Sequence, residues 1–276
     1  MKETGKDVAL GIAIGATDLG RGHSFGTLFE DWLDWMLSFR CGNPNERQKF
    51  LFKESKMKHG LWYAYSKAMA AYEEATEGYH DPLGNVFMER ISHGARGQFF
   101  TPENICKLMA EMIEVKEGAM YDPACGSGRL LLRSLQVARE RGGDPPVVAG
   151  DIDRLCSKMV LANLLSQTAY GEVQQMDALR YNVESATFYR MERVMHIGTG
   201  AIFSQYWEYT KDTAEEVGEA RRKWYWDMAE HGWTTYGGKM KWREDTEEET
   251  TEEIVESVEA APEIQGTAEL RQLSLF

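Results

Sequence analysis

Three strand-like segments in the middle of the chain each end in an aspartate and alternate with two helical runs. The segments read AMYD, VVAGD and EVQQMD, and their acids Asp122, Asp151 and Asp177 are 29 and 26 residues apart. Such a distance fits one strand–helix–strand step, and strands that alternate with helices in this way pair in parallel. The sequence therefore predicts an α/β fold, with a Rossmann-like core of parallel strands over residues 116–232 and a helical region over residues 21–115 before it.

The residues that precede this core have a helical pattern. Apolar side chains recur at helical spacing over residues 25–39, a second helical run covers residues 61–75, and a third begins after Pro102. The small side chains of residues 1–20 predict a flexible N-terminus. One or two further helices are expected over residues 203–231.

The net charge of −13 at pH 7 is concentrated in one segment. Residues 244–263 contain ten acids and no base, so the rest of the chain is close to neutral and DNA binding is not excluded. The composition predicts an acidic, disordered linker over residues 233–266. A short tail, residues 267–276, follows it.

The cysteines and the apolar runs limit the possible location of the protein. Cys41, Cys106, Cys125 and Cys156 are widely spaced and form no CxxC pair, which predicts neither a disulfide framework nor a metal site. No uncharged apolar run approaches the roughly 20 residues that a membrane span needs. The chain is therefore expected to be cytoplasmic, with no membrane as a partner.

The segment YDPACGSGRLLL places two glycines between a strand and a helix. In an open parallel sheet, ligands bind beyond the carboxyl ends of the strands, where the three acids would converge. Gly126 and Gly128 would let a ligand reach main-chain N–H groups, and the helix near Arg129 would present its positive end. An acid after the second strand suits ribose hydroxyls. The alternative is that the turn serves only close packing and that the acids only cap strand ends.

Five stretches of the chain resemble one family. DPACGSGRLLL resembles the S-adenosylmethionine-binding motif of adenine-specific N-6 DNA methylases, and it is most similar to that of the modification subunits of type I restriction systems. GQFFTPENICKLMAEM resembles the Phe-Thr-Pro segment that precedes this motif, and DPLGNVFMERI the helix before that segment. GDIDRLCSKMVLANLL and QQMDAL resemble the second and third motifs. The resemblance spans residues 78–180 and implies a S-adenosylmethionine-dependent methyltransferase core.

The resemblance implies a role at the cofactor for each matching residue. The ten positions are Phe100, Thr101 and Pro102 around the methionine end, Asp122, Ala124, Gly126 and Gly128 around the amino-acid part, Asp151 at the ribose hydroxyls, Ile152 against the adenine face and Asp177 at the adenine amine.

The motif that the family uses for the target base is missing. The resemblance implies an Asn/Asp/Ser-Pro-Pro-aromatic tetrapeptide after the fourth strand, which accepts hydrogen bonds from the amine of a flipped adenine. After Asp177 the chain contains one asparagine, Asn182, and one proline, Pro262. The pair Pro145–Pro146 precedes a strand and is interpreted as a loop. A shortened fourth strand is expected within RMERVMHIGTGAIF, and no catalytic residue is assigned.

Basic and aromatic residues are interleaved over residues 221–243, which span the end of the predicted core and the start of the predicted linker. Such a mixture suits phosphate contact and base stacking. The alternative is a helix whose aromatic face packs on the body of the protein. The predicted DNA-binding residues are Arg221, Arg222, Lys223, Trp224 and Trp226.

The last five residues, QLSLF, match the consensus peptide by which bacterial replication and repair proteins bind the DNA polymerase sliding clamp. Leu275 and Phe276 would be the apolar anchors, with Gln272 as a polar contact and Leu273 beside it, on a flexible tether. A terminus that folds back on the core is the alternative.

These features together predict a S-adenosylmethionine-dependent, adenine-specific N-6 DNA methyltransferase that the clamp recruits to replicating DNA, with a specificity subunit as a further candidate partner. The alternative is a catalytically inactive, methylase-like protein of a phage or mobile element that binds DNA and the clamp. A methyltransferase that acts on RNA or protein is a third possibility.

Overall fold

The computed structural model describes residues 4–43, 59–92, 99–113, 118–180, 183–196, 198–199 and 201–235. The α-helices in these residues are α1 (Gly5–Gly15), α2 (Phe25–Ser38), α3 (His59–Ala75), α4 (Pro82–Phe87), α5 (Glu103–Met112), α6 (Arg129–Glu140), α7 (Arg154–Ser166) and α8 (Ala214–Glu230). The strands are β1 (Met120–Asp122), β2 (Val147–Asp151), β3 (Gly171–Gln175), β4 (Thr187–His196), β5 (Ile202–Tyr209) and β6 (Trp233–Thr235).

The strands form one mixed sheet in the order β1-β2-β3-β4-β5, and β6 pairs with β4. β1, β2 and β3 are parallel, which confirms the predicted strand–helix–strand steps. β4 is antiparallel to β3, β5 and β6. The chain passes from β3 to β4 through a short connection with a 3₁₀ turn, and without a crossover helix the next strand returns antiparallel. The prediction of parallel strands therefore holds for half of the sheet.

Helices cover the parallel strands. α6 packs over β1, α7 packs over β2 and β3, and α5 packs beside α6. Residues 156–165 of α7 are all buried, because α2 packs against the same helix. The helical region before the core, which the sequence predicted, is thus part of the same packed body.

The N-terminus differs from the sequence-based expectation of a flexible segment over residues 1–20. Residues 5–15 form α1, which begins with a capping box between Thr4 and Asp7. Leu10 and Ile14 are fully buried, and α1 packs against α2, α3 and α4. The small residues that suggested flexibility serve close packing: a Cβ at Gly11 would lie 2.4 Å from the Arg90 side chain.

Residues 203–231 also differ from expectation. Residues 202–209 form β5 instead of a helix, and only α8 is helical. The sequence IFSQYWEY is rich in aromatic side chains, which favour a strand. β6 extends the folded part by three residues into the segment predicted as linker; the rest of that linker and the tail lie outside the described residues.

None of the helices that the structure describes has the length and apolar character required to cross a membrane. All four cysteines are buried, and none of them forms a disulfide. Within the described ranges, no group of three or more His, Cys, Asp or Glu residues could hold a metal ion.

Candidate cofactor site

The turn between β1 and α6 holds two glycines in the left-handed region. The φ angles are +56° at Gly126 and +84° at Gly128. A Cβ at Gly126 would lie 2.8 Å from the Phe100 ring, and one at Gly128 would lie 2.4 Å from the Val160 side chain. Close approach by the protein's own side chains therefore requires both glycines.

Main-chain groups of this turn are engaged within the protein. The N–H of Gly126 donates to Oδ2 of Asp151 at 2.8 Å, and the N–H of Gly128 donates to the carbonyl of Cys125 at 2.9 Å. The expectation that these glycines let a ligand reach main-chain N–H groups therefore does not hold for the N–H groups of the two glycines themselves. The case for a ligand rests on the groups around the turn.

The Phe100–Pro102 segment lies against this turn. The Phe100 ring packs on Gly126 and stacks on Phe87 of α4, with ring centroids 5.6 Å apart and planes 23° apart. Nη1 of Arg129 donates to the Thr101 carbonyl at 3.2 Å. The side chains of Thr101 and Pro102 are exposed, and α5 begins directly after them. The fold thus brings together segments that are separate in sequence.

Two of the three strand-end acids lie together at the turn. Oδ1 of Asp122 accepts from the Ala124 N–H at 3.1 Å, and Oδ1 of Asp151 accepts from the Asp153 N–H at 2.8 Å. Burial raises the pKa of Asp122 above its usual 3.8, and the charge of Asp151 raises it further. Burial also raises the pKa of Asp151, although hydrogen bonds from three main-chain N–H groups oppose this shift. A bound cation would relieve this concentration of negative charge.

The third acid lies beyond its strand. β3 ends at Gln175, and the Met176 N–H donates to the Asp151 carbonyl at 3.0 Å, so Asp177 follows directly beside the end of β2. Its carboxylate accepts from the N–H groups of Leu179 and Arg180. Asp177 therefore caps a local turn at the same edge of the sheet.

The raised pKa values predict how stability depends on pH. A folded-state pKa above the unfolded value means that the folded protein holds the proton more tightly than the unfolded chain. Asp122 and Asp151 therefore contribute stability below about pH 4 that is lost as the pH rises through their folded-state pKa values. We expect Asp122→Asn to raise the free energy of unfolding at pH 7, because the amide keeps an oxygen for the Ala124 N–H without the charge. Denaturant unfolding at pH 4 and pH 7 measures the effect.

Asp18→Asn is the matched control, with the opposite sign. The N–H groups of His23 and Gly22 lower the pKa of Asp18. Asp18 thus contributes stability that is present above the unfolded pKa and lost as the pH falls through the folded pKa. Its replacement should lower the stability at pH 7. An Asp122→Asn protein that is also less stable than wild type at pH 7 would contradict the proposed cost of the Asp122 charge, which comes from burial first and from Asp151 second.

Sequence reasoning missed a buried polar cluster behind the turn, which we call the Asp81 network: Asp81, Ser127, Arg129 and Asn163. The Asp81 carboxylate accepts from Ser127 Oγ at 2.5 Å, Arg129 Nε at 3.0 Å and Asn163 Nδ2 at 2.8 Å. Asp81 also accepts from the Gly84 N–H and caps α4. All four side chains are buried. The sequence signal that could have revealed this cluster is the presence of polar residues within apolar helical runs, such as the arginine in GRLLL.

β4 overlaps the segment in which the fourth strand was expected, but its direction is not parallel. It is antiparallel to β3, with Thr187 opposite Gln175 and Met191 opposite Gly171. Its C-terminal end, at His196, therefore lies at the opposite edge of the sheet from the glycine turn. The loop at Pro145–Pro146 precedes β2, as predicted.

The predicted DNA-binding residues of α8 fall into two groups. Arg221 donates from Nη2 to Glu192 at 2.6 Å with its side chain 16% exposed, and Trp224 packs edge-to-face on Trp207. These two side chains follow the packing alternative. The other three are exposed: Arg222, Lys223 and Trp226.

Comparison with known proteins identifies the family. The sequence model described as N-6 DNA methylase matches residues 85–224, just over half of the chain. The chain belongs to the N-6 DNA methylase family. The match includes the second half of α4, the glycine turn, all three parallel strands and most of α8.

Individual relatives match shorter segments. The type I restriction enzyme MjaIX methylase subunit of Methanocaldococcus jannaschii is 31% identical over 85 residues, which are 30% of this chain and 15% of that protein. The HindI methylase subunit of Haemophilus influenzae is 40% identical over 63 residues, 21% of this chain and 14% of that protein. The matches thus span about one seventh of these curated relatives. A class I S-adenosylmethionine-dependent methyltransferase of Listeria monocytogenes has a TM-score of 0.43 and 18% identity, over 61% of this chain and 52% of that one.

Membership of the N-6 DNA methylase family implies S-adenosylmethionine as the cofactor, and the residues present fit it. The sulfonium and the α-ammonium of this cofactor are cationic, which matches the paired carboxylates of Asp122 and Asp151, whose pKa values burial raises. Its adenine is flat and largely apolar, and Ile152 exposes 67% of its surface directly after β2. Ala124 is exposed at the same turn.

Proposed function

We propose that the protein is a S-adenosylmethionine-dependent, adenine-specific N-6 DNA methyltransferase. The observation that carries this proposal is the pair of carboxylates, Asp122 and Asp151, beside a glycine turn on which Phe100 packs, in a chain of the N-6 DNA methylase family. The proposed cofactor-binding residues are the ten that the sequence indicated.

The roles of the acids follow from their places along the sheet edge. When bound, the cofactor supplies an electrophilic methyl group. Asp122 would accept hydrogen bonds from its ammonium group, Asp151 from its ribose hydroxyls and Asp177 from its adenine amine. The Phe100–Pro102 segment would cover the methionine end and exclude water from it.

Calorimetric titration with S-adenosylmethionine tests the site. We expect Asp151→Ala to weaken binding at least tenfold, since hydrogen bonds to charged groups contribute about 1.5–3 kcal/mol. Asp151→Asn keeps an oxygen for the Gly126 N–H but removes the charge. It therefore shows whether the affinity depends on the charge or on the hydrogen bond that supports the turn. Glu140→Gln, at the far end of α6, is the control. Equal affinity in wild type and Asp151→Ala would refute the site.

Transfer of labelled methyl groups to single- and double-stranded DNA, followed by nucleoside analysis, tests the activity. Methyladenine supports the proposal, whereas label in RNA or protein would favour another substrate. No product on any substrate would leave the second candidate, a catalytically inactive methylase-like binding protein. The missing tetrapeptide and the antiparallel direction of β4 favour that candidate.

The exposed side of α8 is the proposed DNA contact. We expect Arg222→Glu/Lys223→Glu to weaken DNA binding and to reduce the slope of log affinity against log salt by about 2, since each phosphate contact contributes about 1. Fluorescence anisotropy with a labelled oligonucleotide at several salt concentrations measures both. Lys211→Glu, which lies just before α8 and pairs with Glu184, is the control. An unchanged salt slope in the double variant would exclude this surface.

Partners complete the proposal. The C-terminal residues that would bind the sliding clamp lie outside the described residues: Gln272, Leu273, Leu275 and Phe276. In a pull-down with the clamp, the Leu275→Ala/Phe276→Ala variant should no longer be recovered, whereas the Ser274→Ala variant should be recovered like wild type.

A specificity subunit is a further proposed partner, because the type I relatives are themselves subunits. Four cysteines that form no disulfide support a cytoplasmic location.

A further inference from the structure

We propose that Arg129 is a positioning residue, which couples the glycine turn to the Phe100–Pro102 segment. Arg129 is the first residue of α6, directly after the turn, and its side chain is only 4% exposed. Its guanidinium donates to three separate acceptors: Oδ2 of Asp81, Oδ1 of Asn85 and the carbonyl of Thr101. The inference deepens the proposed function, because that segment would cover the cofactor.

Arg129 occupies a place where a positive charge is unfavourable. The N-terminus of a helix has a positive partial charge, and burial of a guanidinium carries a large desolvation penalty. Its neighbours Leu131 and Leu132 show that the surrounding core accepts apolar side chains. Stability alone would therefore favour an apolar residue at position 129. The planar guanidinium is suited to something else: a fixed fork that reaches acceptors on several segments at once, which a lysine cannot do.

The contact with Thr101 is what links the two parts of the site. Phe100 is held by packing on Gly126 and Phe87, and the next residue is held by the hydrogen bond from Arg129. α5 then begins without a side-chain cap. The position of the segment over the turn thus depends on a side chain of the turn's own helix, with the Asp81 network holding that side chain in place.

Two variants test this role without leaving a buried charge unpaired. Asp81→Asn/Arg129→Met removes both members of the buried ion pair, and such a joint replacement is often nearly neutral for stability. Arg129→Lys keeps the charge beside Asp81 but gives up the fork. Arg139→Met is the control, because Arg139 lies on the same helix and contacts Asp144 and the carbonyls of Gln167 and Thr168.

Hydrogen exchange of the ligand-free protein is the first measurement. We expect the peptide that covers residues 99–106, including the Ile105 and Cys106 amides that bond to the Pro102 carbonyl, to exchange at least tenfold faster in both variants. Amides of α7 should keep wild-type rates in both variants, and residues 99–106 should keep them in the Arg139→Met control. The second measurement is the affinity for S-adenosylmethionine, which should fall at least tenfold in both variants.

Unchanged exchange over residues 99–106 in both variants would overturn the inference. Exchange that rises equally in α7 would overturn it too, because it would show general loosening. The exchange experiment needs no ligand. If the wild-type protein bound no S-adenosylmethionine, the proposed function would fail, and the exchange rates would still decide whether Arg129 positions the segment.

Discussion

Asp81→Asn is expected to lower the free energy of unfolding by about 3–5 kcal/mol, because it leaves the buried guanidinium of Arg129 without its counter-charge. The Asp81 carboxylate accepts four hydrogen bonds, from Gly84, Ser127, Arg129 and Asn163. An amide at this position carries no charge and replaces one acceptor oxygen by a donor. Denaturant unfolding at pH 7 measures the loss.

A surface pair of the same chemistry is the matched control. Arg141 and Glu111 form an ion pair at 2.8 Å, but their side chains are 45% and 48% exposed. Exposed pairs contribute about 0–1 kcal/mol, so Glu111→Gln should change stability by less than about 1 kcal/mol. Equal, small effects of Asp81→Asn and Glu111→Gln would show that the network does not stabilise the fold.

The parallel half of the sheet was predictable because its signals are local. Each strand–helix–strand step repeats within about thirty residues, and Asp122 and Asp151 are the last residues of β1 and β2. β3 ends two residues before Asp177, since that acid caps the turn that follows. Acids at this spacing therefore marked the strand ends to within two residues.

The antiparallel half was not predictable in the same way. The direction of β4 depends on the connection after β3, which contains a 3₁₀ turn instead of a crossover helix. The buried residues of β5 are consecutive, from Ser204 to Trp207, so the strand lacks the alternation that separates strands from helices. The connection decided the direction of β4, and burial of consecutive residues hid the strand pattern of β5.

The Asp81 network depends on contacts far apart in sequence. Ser127 lies 46 residues and Asn163 lies 82 residues from Asp81. A single sequence shows that these residues are polar within apolar surroundings, but not that they meet. The resemblance located the segments that carry them without indicating what joins the segments.

Gly126→Ala is expected to abolish S-adenosylmethionine binding, with at least a hundredfold loss of affinity. A left-handed conformation costs a non-glycine residue about 1–2 kcal/mol. The new Cβ would also lie 2.8 Å from the Phe100 ring, which packs between Gly126 and Phe87. Either the turn or the Phe100–Pro102 segment must therefore move, and both border the proposed site. Calorimetric titration measures the affinity, and denaturant unfolding measures the stability.

Gly142→Ala separates the effect of backbone strain from the effect of a steric clash. Gly142 has a φ of +84°, and no atom lies within 4 Å of the place that its Cβ would take. It should lose about 1–2 kcal/mol of stability from strain alone and bind the cofactor as wild type does. Gly126→Ala/Phe100→Ala removes the collision, so it should recover stability relative to Gly126→Ala but not affinity, because Phe100 itself would cover the methionine end. Wild-type affinity in Gly126→Ala would separate the glycine turn from cofactor binding, since the close contact with Phe100 would then serve packing alone.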